Sequence, residues 1–552
     1  MEKNKIIKED ATDRISELPE CIIENILLRL DKPKERVRVS VLSKKWFALT
    51  ASVPVLKFLF SDFVDEEDWI SSRDVRENFY KYVKYTVSRF CRQQNVKIAH
   101  TFKLLTVAGD KNEFYIIHDC VELILMRGVK VLDICVKKNR TSKCRLLYRL
   151  PNILSSVSTL TSLKISQCVV LPSSLMVGVV NFKSLKVLWL TSIPLDPLVI
   201  KHLTASCPLL EELVVDRCYG FKKFCVYGGL QSLKTLRFMD YNGIETIDIE
   251  APNLCECVLS VGQGRSATSV ILGPCKQLRT LYLDGPLFLT VGFSDFLSNF
   301  PVLENLSLCL VNRRNILAVS SPSLRNFVLY DECDLEEIDI NTPNLRLFSY
   351  SNSWNCSKGE FDIKSDLGEL ETRMECHIFN KVDTLWLLKL RRFLEKADRF
   401  KFLKLIDLYE RLSVDSEQLK GTQLPPYELE HVELKMPITH VLSDGLLWCF
   451  HPRSLSLTSG FSGISDAERT HFLKCISKRL IQQDQGPINI RIEWSIPSKA
   501  KIYFSWSSMY TTLTFHEMTQ TITFRKEEGP DTDDGQKWRK KYQRRRVKQV
   551  LD

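Results

Sequence analysis

Large apolar residues between positions 160 and 350 recur in one spacing, at x, x+3 and x+5. The step from one group to the next is 21 to 25 residues. Because positions x+3 and x+5 lie two residues apart, they point to the same side of a strand, towards a core. The nine groups are Leu160/Leu163/Ile165, Leu185/Leu188/Leu190, Leu210/Leu213/Val215, Leu233/Leu236/Phe238, Leu254/Cys257/Leu259, Leu278/Leu281/Leu283, Leu303/Leu306/Leu308, Leu324/Phe327/Leu329 and Leu345/Phe348/Tyr350. An earlier group, Val129/Leu132/Ile134, precedes them.

This period predicts a stack of short strands. L-x-x-L-x-L at steps in the low twenties is the strand signature of leucine-rich repeats, in which single units cannot bury their apolar residues but stacked units can. Some intervening segments are long enough for a helix, whereas others, such as 238–254 and 329–345, are too short. We therefore expect an α/β fold, an irregular leucine-rich-repeat solenoid or horseshoe with uneven curvature.

The functional residues of such a scaffold are expected among the exposed strand positions between the leucines. Aromatic, methionine and arginine side chains on an exposed sheet are typical of protein interfaces. The predicted target-binding residues are Trp189, Asp216, Arg237, Met239, Tyr282, Asp284 and Tyr330. The leucine positions themselves are predicted to be core.

The chain opens with a different pattern, LPECIIENILLRL at residues 18–30. Its isoleucines and leucines recur every three to four residues, which predicts one broad apolar face on a short helix. A second amphipathic run follows at residues 31–46, and Ser43 is placed to cap a third short helix that contains Trp46. A module of roughly 45 residues is only marginally stable alone, so we expect part of its apolar surface to dock onto a partner.

Residues 13–57 resemble an F-box. The first stretch matches the L-P-x-x-[IL]-[IL]-x-x-I-L-x-x-L opening of that family, and the second matches its closing V-x-x-S-V-L-S-[KR]-[KR]-W. The resemblance implies a helical module that packs against a Skp-type adaptor, which links it to a cullin ubiquitin ligase. The adaptor-binding residues that it implies are Leu18, Pro19, Ile22, Ile26, Leu27, Leu30, Val41, Leu42 and Trp46. Phe47 and Thr50 depart from the basic residue and the tryptophan that are common there. The alternative is a helical cap on the repeats.

The resemblance extends beyond the F-box. FYKYVKYTVSRF resembles a linking helix, LMRGVKVLDI an entry to the repeats and DGLLWCFHPRSLSL (444–457) a C-terminal region, and this combination is similar to plant F-box/leucine-rich-repeat proteins, some of which carry an FBD domain. Beyond residue 353 the spacing loosens, and groups such as Val382/Leu385/Leu387 predict degenerate repeats. Alternating runs at 488–526 predict terminal strands that cap the edge of the solenoid. The predicted divisions are a disordered N-terminus (1–12), the F-box (13–57), a helical linker (58–128), leucine-rich repeats (129–353), degenerate repeats with an FBD-like region (354–460), an α+β cap (461–534) and a disordered basic tail (535–552).

The net charge of +10 is concentrated in the tail. Residues 535–552 hold eight basic residues against Asp552, a balance of +7, which leaves +3 of the total +10 for residues 1–534. The body therefore lacks the basic excess that would track a phosphate backbone, and nucleic acid is not its expected partner. The tail is either a solvated end or a candidate nuclear signal. The basic residues are Lys537, Arg539, Lys540, Lys541, Arg544, Arg545, Arg546 and Lys548.

Motifs that carry chemistry are absent from the sequence. It contains no G-x-x-x-x-G-K-[ST], H-E-x-x-H or G-x-S-x-G, and its 18 cysteines include no C-x-x-C pair. We therefore expect no enzyme activity, no metal and no cofactor. The opening residues lack the apolar core of a signal peptide, and no run is long enough to span a bilayer. An intracellular protein of the nucleus or cytoplasm, with reduced thiols and no membrane partner, is expected.

The predicted function is substrate recognition within a Skp–cullin–F-box ubiquitin ligase, with the F-box on the adaptor and the repeats on an unidentified target protein. The alternative is a repeat scaffold unrelated to ubiquitin, or a nuclear nucleic-acid-associated protein that acts through its tail. Whether a small ligand bridges receptor and target, as in some similar plant receptors, is a question that the sequence leaves open. However, the sequence shows no clustered basic pocket within the repeats that argues for one.

Overall fold

The protein, described as a computed structural model, divides into two compact units. The first consists of residues 1–278 and 286–290, and the second of residues 279–285 and 291–552. The structure describes residues 18–30, 33–64, 73–93, 98–139, 147–169, 182–196, 200, 206–226, 230–240, 243–262, 267–273, 275–289, 293–310, 316–331, 337–352, 362–366, 372–378, 382–396, 400–407, 412–415, 418–419, 421, 427–435, 440–459, 466–483, 488–495, 502–505 and 520–528. The predicted N-terminal segment 1–12 and basic tail 535–552 lie outside these residues.

Three short helices open the first unit, α1 (Glu20–Arg29), α2 (Pro33–Ser40) and α3 (Lys44–Ser52). An acidic residue in the first turn of α1 and a basic residue in its last turn both complement the helix dipole. The Trp46 backbone N–H donates to Ser43 Oγ at 3.3 Å, so α3 begins at the cap that the sequence predicts. Two longer helices follow, α4 (Arg73–Cys91) and α5 (Lys111–Arg127).

Short strands make up most of the remaining described chain. They are β1 (Val55–Leu59), β2 (Ala99–Ala108), β3 (Val129–Lys138), β4 (Tyr148–Arg149), β5 (Ser162–Ser166), β6 (Cys168–Val169), β7 (Val187–Thr191), β8 (Glu212–Asp216), β9 (Lys223–Val226), β10 (Thr235–Asp240), β11 (Thr246–Ile249), β12 (Glu256–Val261), β13 (Thr268–Leu272), β14 (Thr280–Gly285), β15 (Leu287–Leu289), β16 (Asn305–Leu310), β17 (Ile316–Ser320), β18 (Asn326–Asp331), β19 (Glu337–Asn341), β20 (Leu347–Asn352), β21 (Asp362–Asp366), β22 (Thr372–Ile378), β23 (Val382–Asp383), β24 (Phe400–Asp407), β25 (Leu412–Ser413), β26 (Tyr427–Lys435), β27 (Phe450–Ser459), β28 (Ile488–Ser495), β29 (Ile502–Ser505) and β30 (Gln520–Glu528).

In the first unit, a main row of parallel strands runs in the order β1-β2-β3-β5-β7-β8-β10-β12. The register places equivalent repeat positions side by side, so that Leu163 pairs with Leu188 and Leu188 with Leu213. A second parallel row consists of β9, β11, β13 and β15. Segment 238–254, which is predicted from the sequence to be too short for a helix, contains the four-residue strand β11.

In the second unit, the main row runs in parallel in the order β14-β16-β18-β20-β22-β24-β26-β27. A second row pairs β17, β19 and β21 in parallel. The edge of β27 is covered by β30, which pairs with it antiparallel and continues through β28 to β29. Pairing of this kind leaves β27 with no open edge on that side. Among the described residues of this unit, the longer helical segments are Phe293–Ser298, Thr384–Lys396, His440–Cys449 and Asp466–Gln482.

The apolar residues at x, x+3 and x+5 form the core of both stacks. All are buried from Val129 to Phe348, and only the last, Tyr350, is half-buried. Each large apolar side chain taken out of water contributes about 1.5–3 kcal/mol, so stacking stabilises the repeats together. The predicted fold class, helices followed by stacked parallel strands in a mixed α/β protein, is confirmed.

Two segments differ from the sequence interpretation. Strands β1 and β2 extend the stack into the region that was expected to be the end of the F-box and a helical linker. Strand β22, with Met374 and Cys376 buried, pairs with β20 where the group at 382–387 was expected. Leu385 and Leu387 instead belong to the helix Thr384–Lys396. A short group of apolar residues is compatible with either a strand or a helix, and the neighbouring elements decide which of the two forms.

Candidate functional site

Four side chains form the core of the opening helical module. Ile23 and Leu27 of α1 are 0% exposed and Trp46 of α3 is 2% exposed, and Val53 completes the cluster. Ile23 and Leu27 are four residues apart, so they lie on one face of α1 and pack against α3. Half-buried residues surround this cluster: Leu18, Ile26, Leu30, Val39, Leu49 and Val55.

A second set of apolar side chains in the module is exposed. Val41 is 78% exposed, Leu42 is 49% exposed and Ile22 is 44% exposed, and Pro19 is exposed as well. Val37 on α2 is exposed as well, and Val41 and Leu42 follow directly after the end of that helix, so exposed apolar residues continue from α2 into the turn before α3. Several exposed apolar residues on so small a module mark an interaction surface.

One hydrogen bond holds the two ends of this surface together. The Lys45 ammonium donates to the carbonyl oxygen of Leu18 at 2.8 Å, so the start of α1 lies beside the start of α3. Leu42 lies two residues before α3 and Pro19 directly before α1, so both belong to the helix starts that this hydrogen bond links.

The structure separates the nine predicted adaptor-binding residues by exposure. Pro19, Ile22, Val41 and Leu42 are exposed, whereas Leu18, Ile26 and Leu30 are half-buried against the core. Leu27 and Trp46 are buried within the module itself. A side chain enclosed by its own module cannot reach a partner while the module is folded, so these two support the surface from below.

Helix α4 holds the module to the strands. The Arg89 guanidinium carbon lies 3.6 Å from the centre of the Phe47 ring, and Arg89 also donates to the Phe47 carbonyl oxygen and, at 3.4 Å, to Thr50 Oγ1. Phe47 and Thr50 are the two positions that depart from the F-box pattern. A basic residue at position 47 would repel Arg89, so the departures fit this contact.

The predicted target-binding residues of the first unit lie on outward strand positions. Lys164 Nζ lies 3.2 Å from the centre of the Trp189 ring, and the Trp189 indole N–H donates to Glu212 Oε1 at 3.1 Å. Arg237 pairs with Glu256 at 2.8 Å. These contacts hold the side chains in place, which lowers the entropy that a partner must remove on binding.

The remaining predicted residues lie between the core positions of their strands, and in each unit two of them share one register row. Asp216 lies directly opposite Met239 in the first unit, and Asp216 also pairs with Arg217 at 2.9 Å. In the second unit, Asp284 and Tyr330 lie in one register row, separated by one strand. Tyr282 is half-buried two positions before Asp284 on the same strand. The side chains therefore lie beside the core positions and outside them.

A cavity of about 410 Å³ in the second unit is lined by Phe402, Glu430, His431, Ser454 and Arg525. His431 Nδ1 and Ser454 Oγ form a hydrogen bond of 2.5 Å. Burial lowers the pKa of His431 below its ordinary value; Arg525 and Arg373 act in the same direction, whereas Glu433 opposes the shift. The neutral imidazole is therefore the form that the folded unit favours.

None of the described helices is long and apolar enough to cross a membrane. Within the same residues, no three His, Cys, Asp or Glu side chains lie close enough together to hold a metal ion. Most of the described cysteines are buried. Burial raises the pKa of Cys120 and of Cys207 to about 12, so both thiols stay protonated and weakly nucleophilic.

Family comparisons agree with this arrangement. The F-box domain model matches residues 15–58, which include α1, α2 and α3. The model of the At1g61320/AtMIF1 LRR domain matches residues 94–318, which include the strands from β2 to β16. The chain thus contains a segment that matches the F-box and a segment that matches leucine-rich repeats, and it is similar to plant F-box/leucine-rich-repeat proteins. F-box domains generally bind Skp-type adaptors and leucine-rich repeats bind target proteins, so the two domains together imply a protein-interaction role.

Three relatives from Arabidopsis thaliana illustrate the similarity. The FBD-associated F-box protein At5g44940 is 28% identical over 271 residues, 49% of this chain and 67% of the relative. The F-box/FBD/LRR-repeat protein At5g44980 is 27% identical over 331 residues, 56% of this chain and 71% of the relative. The F-box/LRR-repeat protein At3g59200 is 30% identical over 263 residues, 44% of this chain and 45% of the relative. The chain thus spans from under half to about two thirds of the length of these F-box proteins.

Proposed function

We propose that this F-box/leucine-rich-repeat protein is the substrate-recognition subunit of a Skp–cullin–F-box ubiquitin ligase. Its F-box would bind the Skp-type adaptor, and its repeats would bind the protein to be ubiquitinated. Catalysis would reside in other subunits. This chain would raise the local concentration of the target near the enzyme that carries the activated ubiquitin.

The observation that carries the proposal is the division of apolar residues within α1–α3. The core is complete with Ile23, Leu27, Trp46 and Val53, yet Ile22, Val41 and Leu42 are exposed. A helical cap on the repeats would turn its apolar face inward. These exposed side chains would instead fill pockets on an adaptor, where each desolvated aliphatic group contributes up to about 1.5–3 kcal/mol.

The test is co-purification with a Skp-type adaptor. The variant Val41→Asp/Leu42→Asp places two charges on the exposed surface without entering the core, and we expect it to lose the adaptor. The control variant Tyr115→Asp/Met126→Asp makes the same change at two exposed apolar residues of α5, outside the F-box, and should retain the adaptor. Thermal unfolding followed by circular dichroism checks that both variants are folded.

Failure of the folded wild-type protein to retain any Skp-type adaptor would refute the proposal and make the helices a cap. Salt-sensitive binding to nucleic acid that disappears on deletion of residues 535–552 would then support the alternative function. The proposal also implies a nuclear or cytoplasmic protein. A fluorescent fusion with and without residues 535–552 tests whether the tail acts as a nuclear signal.

A further inference from the structure

The second unit carries three arginines and one glutamate in a row at the start of neighbouring strands. Arg279, Glu304, Arg325 and Arg346 directly precede β14, β16, β18 and β20. Their backbones are linked in turn: Glu304 N–H donates to the Arg279 carbonyl at 2.9 Å, Arg325 N–H to that of Glu304 at 2.9 Å, and Arg346 N–H to that of Arg325 at 2.8 Å. Residues that are 21 to 25 positions apart in sequence are therefore adjacent in space.

The single carboxylate of this row is engaged by one arginine. Arg279 Nη1 lies 3.1 Å from Glu304 Oε1. Within the described part of the chain, Arg325 and Arg346 have no carboxylate at ion-pair distance, and both are exposed. Neighbouring strands are about 4.8 Å apart, so two guanidinium groups stand side by side without a shared counter-charge.

The first unit provides an internal comparison at the equivalent positions. Lys186, Glu211 and Lys234 directly precede β7, β8 and β10. Glu211 accepts from Lys186 at 2.9 Å through one oxygen and from Lys234 at 2.9 Å through the other. Hydrogen bonds and charge from the two lysines lower the pKa of Glu211 to about 2. Two cations on this scaffold are thus satisfied by one carboxylate on the strand between them, whereas Arg325 and Arg346 precede directly adjacent strands and share no carboxylate of the described residues.

The uncompensated arginines line a cavity of about 350 Å³. Its other walls come from Arg279 and Glu304 and from turn residues that precede the strands, Val302, Ser323 and Asn344 among them. Guanidinium groups bind carboxylate and phosphate through two parallel hydrogen bonds, which single ammonium groups cannot do. The cavity therefore has the charge and the donor geometry of an anion site, a basic cluster that the sequence alone did not reveal.

We propose that this cavity binds an acidic segment of the target protein, with one anionic side chain held between Arg325 and Arg346. This inference rests on the proposed function, because only that function makes the bound segment part of a target protein. Nucleic acid fits less well, because the lining residues include no aromatic ring for base stacking and the local excess is only two charges. A short peptide with closely spaced carboxylates or phosphoserines matches both the size and the charge of the cavity.

The experiment measures the binding of fluorescent peptides to the full-length protein by fluorescence anisotropy. The first probe contains six consecutive glutamates, the second replaces two of them with phosphoserine, and a six-lysine peptide serves as the charge-reversed control. We expect Arg325→Gln/Arg346→Gln to weaken binding of both acidic probes by at least about tenfold. The probe that binds more tightly identifies carboxylate or phosphate as the preferred anion.

A matched variant of the first unit controls for net charge. Lys186→Gln/Lys234→Gln removes two cations from equivalent positions, and it should change the affinity by less than about twofold because those lysines are already paired. Arg325→Lys/Arg346→Lys keeps the charge but loses the paired donors, and an intermediate affinity is expected. Circular dichroism melting compares the stability of each variant with that of the wild type, and the single variant Arg346→Gln replaces the double variant if the latter unfolds.

Three results would overturn the proposal. The first is wild-type affinity of Arg325→Gln/Arg346→Gln for the acidic probes, and the second is an equal loss of affinity in Lys186→Gln/Lys234→Gln. The third is displacement of the labelled peptide by an oligothymidylate of equal charge at a lower concentration than the unlabelled peptide requires, which would assign the cavity to nucleic acid. Adaptor retention is measured on the same variants and is expected to be unchanged. Loss of adaptor binding in the wild type, with arginine-dependent peptide binding intact, would remove the ligase role and leave the ligand site standing.

Discussion

The clearest test of the F-box architecture compares the substitution of a buried leucine of α1 with the substitution of an exposed leucine of the same helix. Leu27 is fully buried in the core of the module, whereas the next residue, Leu28, is 41% exposed. Leu27→Ala removes buried atoms and leaves a cavity, which costs about 2–5 kcal/mol in the free energy of unfolding. Leu28→Ala removes the same atoms from a side chain already in contact with water and should cost less than about 0.5 kcal/mol.

Because the module is small, the cost of Leu27→Ala is large enough to unfold it. Helices α1–α3 extend from Glu20 to Ser52, and a folded chain holds about 0.05–0.15 kcal/mol of stability per residue. The module's own share is then about 2–5 kcal/mol, comparable with the loss caused by Leu27→Ala. The strands of the first unit have separate cores and should keep their stability.

Hydrogen–deuterium exchange followed by mass spectrometry separates these effects. Leu27→Ala should lose protection in peptides from α1–α3 and retain it in peptides from β7 and β8, while adaptor binding falls with the lost protection. Leu28→Ala should match the wild type in exchange. Wild-type protection of α1–α3 in Leu27→Ala, or equal losses in the two variants, would refute the assignment of the core.

Three further outcomes follow from contacts of the two units. Arg89→Ala should increase exchange in α3, with a loss of about 1–3 kcal/mol from the ring contact and the hydrogen bonds to a charged donor, while an unchanged exchange rate in α3 would contradict that contact. The pKa of His431 is lowered in the folded state, so the unfolded chain binds more protons below about pH 6.5. The Tm of the wild type should therefore fall between about pH 7 and pH 5, and the Tm of His431→Gln should fall less over the same range. Equal slopes of Tm against pH in the two proteins would show that another group dominates. Cys21 is exposed beside Ile22, and a bound Skp-type adaptor should slow its alkylation by maleimide; unchanged labelling in the complex would place the adaptor elsewhere.

Short-range periodicity was sufficient to predict the repeat core. The spacing of Leu160, Leu163 and Ile165 and of its successors encodes both the strand and its buried side, because side chains alternate along a strand. The opening motifs likewise predicted the F-box helices, including the cap at Ser43. Local patterns were less informative where both states fit: Leu385 lies on a helix, and β1 and β2 continue the stack through the segment expected to be a linker.

The sequence by itself determined the fold class, the core residues of the repeats and the presence of an F-box, because each depends on residues close together in the chain. Tertiary structure decided which apolar residues of the F-box are available to a partner, burying Leu27 and Trp46 and exposing Val41. It also placed Arg325 beside Arg346, although 21 positions separate them, and left them without the carboxylate that Lys186 and Lys234 share. Burial and charge compensation depend on which strands become neighbours, and stacking sets those neighbours across distances that no local pattern spans.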